Sequence, residues 1–154
     1  SEAQIILSDF GVSFDPSKES RFESYAPLEI RPPEARFEPS RPLSFASNIW
    51  SLGCTIWAIL RQCSFETNGV PRESRSPWTW NQRFEDSIHE PRREKNMPNV
   101  CEEEKADFFA MIRSMHAFRP EERPNAKQVV ESHWMRNWAA PAGKIGQPDE
   151  LLAW

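Results

Sequence analysis

The stretch Ser44–Leu60, SFASNIWSLGCTIWAIL, constrains the fold more than any other part of the 154-residue chain. Its apolar residues Ile49, Trp50, Leu52, Cys54, Ile56, Trp57, Ile59 and Leu60 cover nearly every side of a helix. A helix that is apolar all round belongs in a core, with other elements packed around it. Ser44 or Ser47 can accept from the free amides of its first turn, and the polar pair Arg61-Gln62 follows its last apolar residues. Gly53 in its middle costs about 1 kcal/mol against Ala, so the position is expected to permit a close approach of another part of the chain. Trp50, Leu52, Trp57 and Leu60 are expected core residues.

The elements around this helix are read from weaker patterns. CEEEKADFFAMIRSM, residues 101–115, places Phe108, Phe109, Met111, Ile112 and Met115 on one stripe, with Glu102, Glu103 and Glu104 near the N-terminus where the helix dipole favours negative charge. Asn125 is the expected cap of a last helix carrying Ala126, Val129, Val130 and Trp134, with Gln128 at the capping-box position. Residues 64–100 hold Pro71, Pro77, Pro91 and Pro98 and read as loops with one or two short helices, buried at Trp78, Trp80, Phe84 and Ile88. Residues 4–8, QIILS, read as a short strand. From Val12 to Pro42 six prolines and no steady period give a long irregular segment, and such segments in compact domains are usually functional or disordered. The tail 141–154 is expected to be loose or docked only at its end.

With 38% hydrophobic residues and 14 prolines, the chain has material for one modest core. A net charge of −4 supplies no general attraction to nucleic acid or an anionic membrane, and neither is an expected partner. Arg92-Arg93-Glu94-Lys95 reads as a solvated surface run. Cys54, Cys63 and Cys101 are odd in number and share no metal-ligand spacing with His89, His116 and His133, so neither a zinc site nor a disulfide framework is expected. The expected location is a reducing compartment, cytoplasm and/or nucleus. No basic start and apolar run of a signal peptide is present, and Ile49–Leu60 is too short to span a bilayer.

Four motifs stand in an order that carries more than any one of them. Asp9-Phe10-Gly11 follows the short apolar strand; RPPEA occupies Arg31–Ala35; SNIWSLGCTIWAIL begins at Ser47; FRPEERPNAKQVVESHWM runs from Phe118 to Met135. Together they resemble the Asp-Phe-Gly turn, the Ala-Pro-Glu end of the activation segment, the central Asp-x-Trp-Ser-Leu-Gly helix and the Asp-Pro-x-x-Arg-Pro turn of a eukaryotic protein kinase domain. Arg31 before PPEA, the WSLGCTIWAIL helix and FEDSIHEPRR resemble most closely the serine/arginine-rich protein kinase type, especially divergent fungal relatives. The resemblance implies a mainly α fold, the large C-terminal lobe of a kinase, incomplete and preceded by one short β-strand. It also implies a partial kinase domain over 1–140, with activation segment 9–34, helical lobe 44–140 and a tail 141–154.

The resemblance assigns roles residue by residue. Asp9 would bind the magnesium that bridges the ATP phosphates and is the one catalytic residue of the set; Phe10 and Gly11 would shape that nucleotide site. Tyr25, Leu28, Ile30, Arg31 and Pro33 would lie on the shelf that holds a protein substrate, possibly a basic one rich in Ser and Arg in the suspected subtype. Asp86, Glu90, Glu102, Glu103 and Glu104 are acidic docking candidates only in that sense; a solvated acidic face is the favoured reading. Glu34 and Arg123 match a buried ion pair tying the segment to the lobe. Asn48 and Trp50 are structural, with Asn48 in place of an aspartate that accepts backbone hydrogen bonds from the catalytic loop. Ile30 stands at a tyrosine position, and Pro27 near a regulatory threonine. No Gly-rich loop, strand lysine, helix glutamate or His-Arg-Asp loop is present in these residues. The expected function is therefore Ser/Thr protein kinase, ATP-dependent phosphoryl transfer to protein hydroxyls, carried here by a fragment. The alternative is an inactive truncated kinase acting as a protein-binding module.

Overall fold

The computed structural model describes residues 10–60 and 79–139. Among these residues the fold is helical with no strand, and the expected strand at 4–8 lies outside them, as do Asp9, Cys63, Trp78 and the tail. The elements are α1 (Glu34–Phe37), α2 (Phe45–Leu60), α3 (Trp80–Phe84), α4 (Glu90–Glu94), α5 (Glu102–Met115) and α6 (Ala126–Val130). Single 3-10 turns occupy Phe10–Val12 and Pro120–Glu122.

α5 supplies the centre of the core. Its stripe of Phe108, Phe109, Met111, Ile112 and Met115 is buried, with Ile112 and Met115 at 0% exposure. α2 lies against it and against the Pro120–Glu122 turn. Aromatic rings fill the space: Trp57 stacks on Phe108 at 5.6 Å, Phe84 meets Phe109 edge-on at 5.2 Å, and Trp134 meets Phe108 at 5.3 Å. Each such side chain removed from water contributes about 1.5–3 kcal/mol. Gly53 faces the end of α5 so closely that a Cβ there would stand 2.9 Å from His116 Cε1 and 3.2 Å from Met115 Cβ.

The helix boundaries follow local chemistry. Asn125 Oδ1 accepts from Gln128 N while Gln128 Oε1 accepts from Asn125 N, a capping box that starts α6. Thr79 and Gln82 form a second box ahead of α3. α5 is capped by Cys101, whose Sγ accepts from Glu104 N at 3.4 Å. α3 and α4 are joined by a wide π-type turn, Glu85–His89. Pro91 accounts for it: its nitrogen has no hydrogen to donate and its ring clashes with the carbonyl four residues back, so the preceding turn widens.

One expectation about α2 needs correction. The helix buries Ser47, Ile49 and Gly53, leaves Trp50 and Trp57 half-buried, and exposes Leu52 at 41% and Ile59 at 70%. Among the described residues α5, the Pro120–Glu122 turn, α3 at Trp57 and the segment before α1 at Ser47 and Ser51 pack on α2, and Leu52 and Ile59 stay outside that cover. Trp134 is buried as expected but lies beyond α6, which ends at Val130, and Ala126 is exposed.

Candidate functional site

The site is built around one carboxylate. Pro32 and Pro33 deliver the chain into α1, whose first residue, Glu34, is buried at 2% exposure. Arg123 reaches it from 89 positions away, with Nη1 donating to Oε1 at 2.8 Å and Nη2 to Oε2 at 2.7 Å. The remaining donors of the guanidinium go to backbone carbonyls: Nε to Ala117, Nη1 to Ala46, and Nη2 to Phe118. Ser47 Oγ donates to Glu34 Oε1 at 2.8 Å, and the Trp50 ring lies 5.1 Å from the guanidinium carbon. Burial pushes the Glu34 carboxyl up, but the hydrogen bonds from Arg123, its own backbone and Ser47 outweigh this and hold it below its ordinary value.

From this anchor the preceding segment is held as a turn. Ile30 N donates to Pro27 O at 3.1 Å, and Ile30 O accepts from Ser51 Oγ of α2 at 2.9 Å. Arg31 folds back, its Nε and Nη2 donating to Ala26 O at 3.1 and 2.9 Å. Tyr25 and Leu28 project outward at 67% and 75% exposure. Farther upstream, Arg21 Nη1 donates to Val12 O, Arg21 O accepts from Leu43 N at 2.7 Å, and a cavity of about 340 Å³ separates the segment from the first turns of α2.

The sequence-predicted residues divide by where the structure places them. Glu34, Arg123 and Trp50 are brought together. Leu28 and Ile30 lie in one turn with Tyr25 and Arg31 on either side of it, whereas Pro33 is buried at the start of α1 and offers no surface to a substrate. Its place is corrected from contact to support, because the two prolines aim Glu34 inward. Asn48 is exposed at the edge of the cavity, with no side-chain hydrogen bond to another described residue. Asp86 and Glu90 line a groove of about 540 Å³ with Glu85 and Arg93, while Glu102, Glu103 and Glu104 occupy the first turn of α5. Ser47, expected only as a cap, accepts from Ser44 N and donates to Glu34, a role that no sequence expectation covers, as none covers Ser51; their spacing of four, which puts both hydroxyls on the face of α2 toward the segment, is the signal that carries them.

The expected magnesium and nucleotide residues fall at the edge of the described residues. Asp9 lies outside them, nothing is described of the Phe10 side chain, Gly11 falls in a single 3-10 turn, and no three His, Cys, Asp or Glu side chains gather to hold a metal ion among the described residues. Nor is any described helix long and apolar enough to cross a membrane. The sequence model of the protein kinase domain family matches residues 1–135. No curated protein and no solved structure matches the chain.

Proposed function

Given that the chain belongs to the protein kinase domain family, we propose that it is part of a Ser/Thr protein kinase that presents a basic, Ser/Arg-rich protein substrate on the turn from Tyr25 to Ile30. The family transfers a phosphoryl group to proteins and generally uses ATP with magnesium; ATP supplies that group and the metal offsets its charge. Asp9 is the metal-binding carboxylate in this reading, and the protein works in the cytoplasm and/or nucleus. The observation that carries the proposal is the Glu34–Arg123 lock, whose buried, bidentate geometry fixes the end of the activation segment against the helical lobe.

Phosphoryl transfer depends on positioning, so a substrate shelf must not wander relative to the lobe. Ser51 and Arg31 hold the shelf's backbone while the outward side chains stay free for a partner. Glu23 and Glu29, both exposed, flank Tyr25 and Leu28 and have no cationic partner among the described residues, which suits a basic substrate. A second reading, a binding module without catalysis, draws on Asn48, which leaves α2 without the carboxylate that would anchor a catalytic loop.

The deciding experiment joins the chain behind a kinase segment carrying a Gly-rich loop, the strand lysine and a His-Arg-Asp loop, and follows radiolabel transfer to a Ser/Arg-rich peptide. Transfer that disappears with Asp9→Asn supports the kinase reading. A folded chimera that binds the peptide without phosphorylating it overturns that reading in favour of the binding module.

A further inference from the structure

We propose that the pocket between Ile30, α2 and α3 takes a large apolar side chain of the protein substrate, giving the shelf an anchor subsite beside its acidic rim. The inference rests on the substrate-shelf reading above and names a feature of the substrate beyond its basic character.

The pocket has a volume of about 520 Å³ and opens beside Glu29 and Ile30, so it is continuous with the shelf. Its walls are tryptophan: Trp50 and Trp57 from α2, Trp80 from α3. Its floor is polar in composition but already satisfied. His116 Nδ1 donates to Ile112 O at 2.9 Å, which leaves Nε2 as the acceptor for the Cys54 thiol at 3.3 Å. Burial lowers the His116 pKa and raises that of Cys54, so both are neutral near pH 7. A polar side chain entering here would lose water and find no free partner on the floor, a costly exchange.

Three tryptophans also raise the alternative of a cation cage, and the ring contacts argue against it. The Trp80 ring already lies 5.8 Å from the Arg113 guanidinium, and the Trp50 ring 5.1 Å from that of Arg123. Trp57 is stacked on Phe108 and meets Trp80 edge-on at 5.5 Å. With two of the rings engaged by the protein's own cations and the third by aromatic neighbours, an incoming cation would meet positive charge nearby, whereas an apolar group meets ring surface. Glu29 and Arg83 at the mouth are exposed and suit the flanking polar backbone of a peptide. The occupant is therefore an aromatic or large aliphatic side chain on a peptide whose basic residues lie toward Glu29 and Glu23.

The test uses the whole chain and two Ser/Arg-rich peptides identical except for one Phe or Ala. Binding is read by calorimetry and by the fluorescence of the pocket tryptophans. The Phe peptide is expected to bind about ten-fold tighter or more, the scale of burying one such side chain. Ala58 lines the pocket yet is exposed on α2, so Ala58→Phe fills the space without entering the core. It should abolish the advantage of the Phe peptide and leave the Ala peptide unchanged, while Glu29→Lys should weaken both alike. Equal affinities of the two peptides, or an advantage that survives Ala58→Phe, overturn the anchor pocket and leave the shelf standing if Glu29→Lys still acts. Binding of neither peptide overturns both.

Discussion

Arg123 spends all five of its N–H donors, two on Glu34 and one each on Ala117, Ala46 and Phe118. Few side chains are so fully committed, and lysine could not replace it because an ammonium has three donors and no fork. Removing it strands the Glu34 charge at 2% exposure and frees three carbonyls, so Arg123→Ala should cost about 3–5 kcal/mol in urea unfolding. Arg93→Ala, which breaks a half-exposed pair with Glu85, should cost under about 1 kcal/mol. Similar small losses from both would remove the lock as the prop of the fold. The pair also sets a pH response. Glu34 has a folded pKa below its ordinary 4.5, so its stabilisation is complete above that value and is lost as the pH falls through the folded value. Unfolding measured from pH 6 downward should show a steeper acid loss in the native chain than in Glu34→Gln. Parallel curves would mean that Glu34 carries no linkage.

At the scale of elements, what was legible depended on whether a segment's own residues decide its structure. The α5 stripe and the Asn125–Gln128 box are local, and both stand where the pattern puts them. The Thr79–Gln82 box, T-x-x-Q where the other is N-x-x-Q, is as local, but the prolines around it leave no helical period to mark it as a helix start. Pro91 signals a break, yet the chain keeps turning as a helix by widening the register, a choice set by Phe84, Ile88 and His89 packing inward on both sides of the turn. The exposure of Leu52 and Ile59 was not legible, since composition says that a helix needs covering and cannot say which elements do so. Gly53 shows the opposite case. Alanine there would gain about 1 kcal/mol of helix propensity, but its Cβ would collide with a ring fixed by Ile112 and Cys54 and crowd Met115 Cβ, which has no freedom to yield. The clash should win, with Gly53→Ala less stable by about 1–3 kcal/mol in denaturant unfolding. A variant more stable than the native chain would show that α2 and α5 can part without penalty.

For the whole molecule, the motif order specifies a connection that no single element does: a glutamate at the end of one irregular segment meets an arginine near the last helix, across 89 positions. That was legible because both residues sit in recognisable motifs, whereas the pocket beside Ile30 arises where Trp50 and Trp57, two turns apart on α2, meet Trp80 of α3, a meeting that no local pattern announces. The same reasoning predicts what these 154 residues do with nucleotide. Phosphate binding needs several groups converging on one ligand, yet the sequence has Asp9 without a Gly-rich loop, strand lysine or His-Arg-Asp loop, and no three His, Cys, Asp or Glu side chains are placed to hold a metal ion among the described residues. A single carboxylate holds magnesium weakly because the ion keeps most of its water until further ligands organise it. Calorimetry of the chain with Mg-ATP should therefore show no binding tighter than about 1 mM, the affinity left when about 4 kcal/mol is all that association can gain. In the reading proposed above, peptide binding at the shelf should persist under the same conditions, since it draws on Glu23, Glu29, the locked turn and the tryptophan pocket and on no nucleotide. Micromolar nucleotide binding that disappears with Asp9→Asn would show that Asp9 is joined by partners the motif order does not reveal, and would move the nucleotide site into these residues.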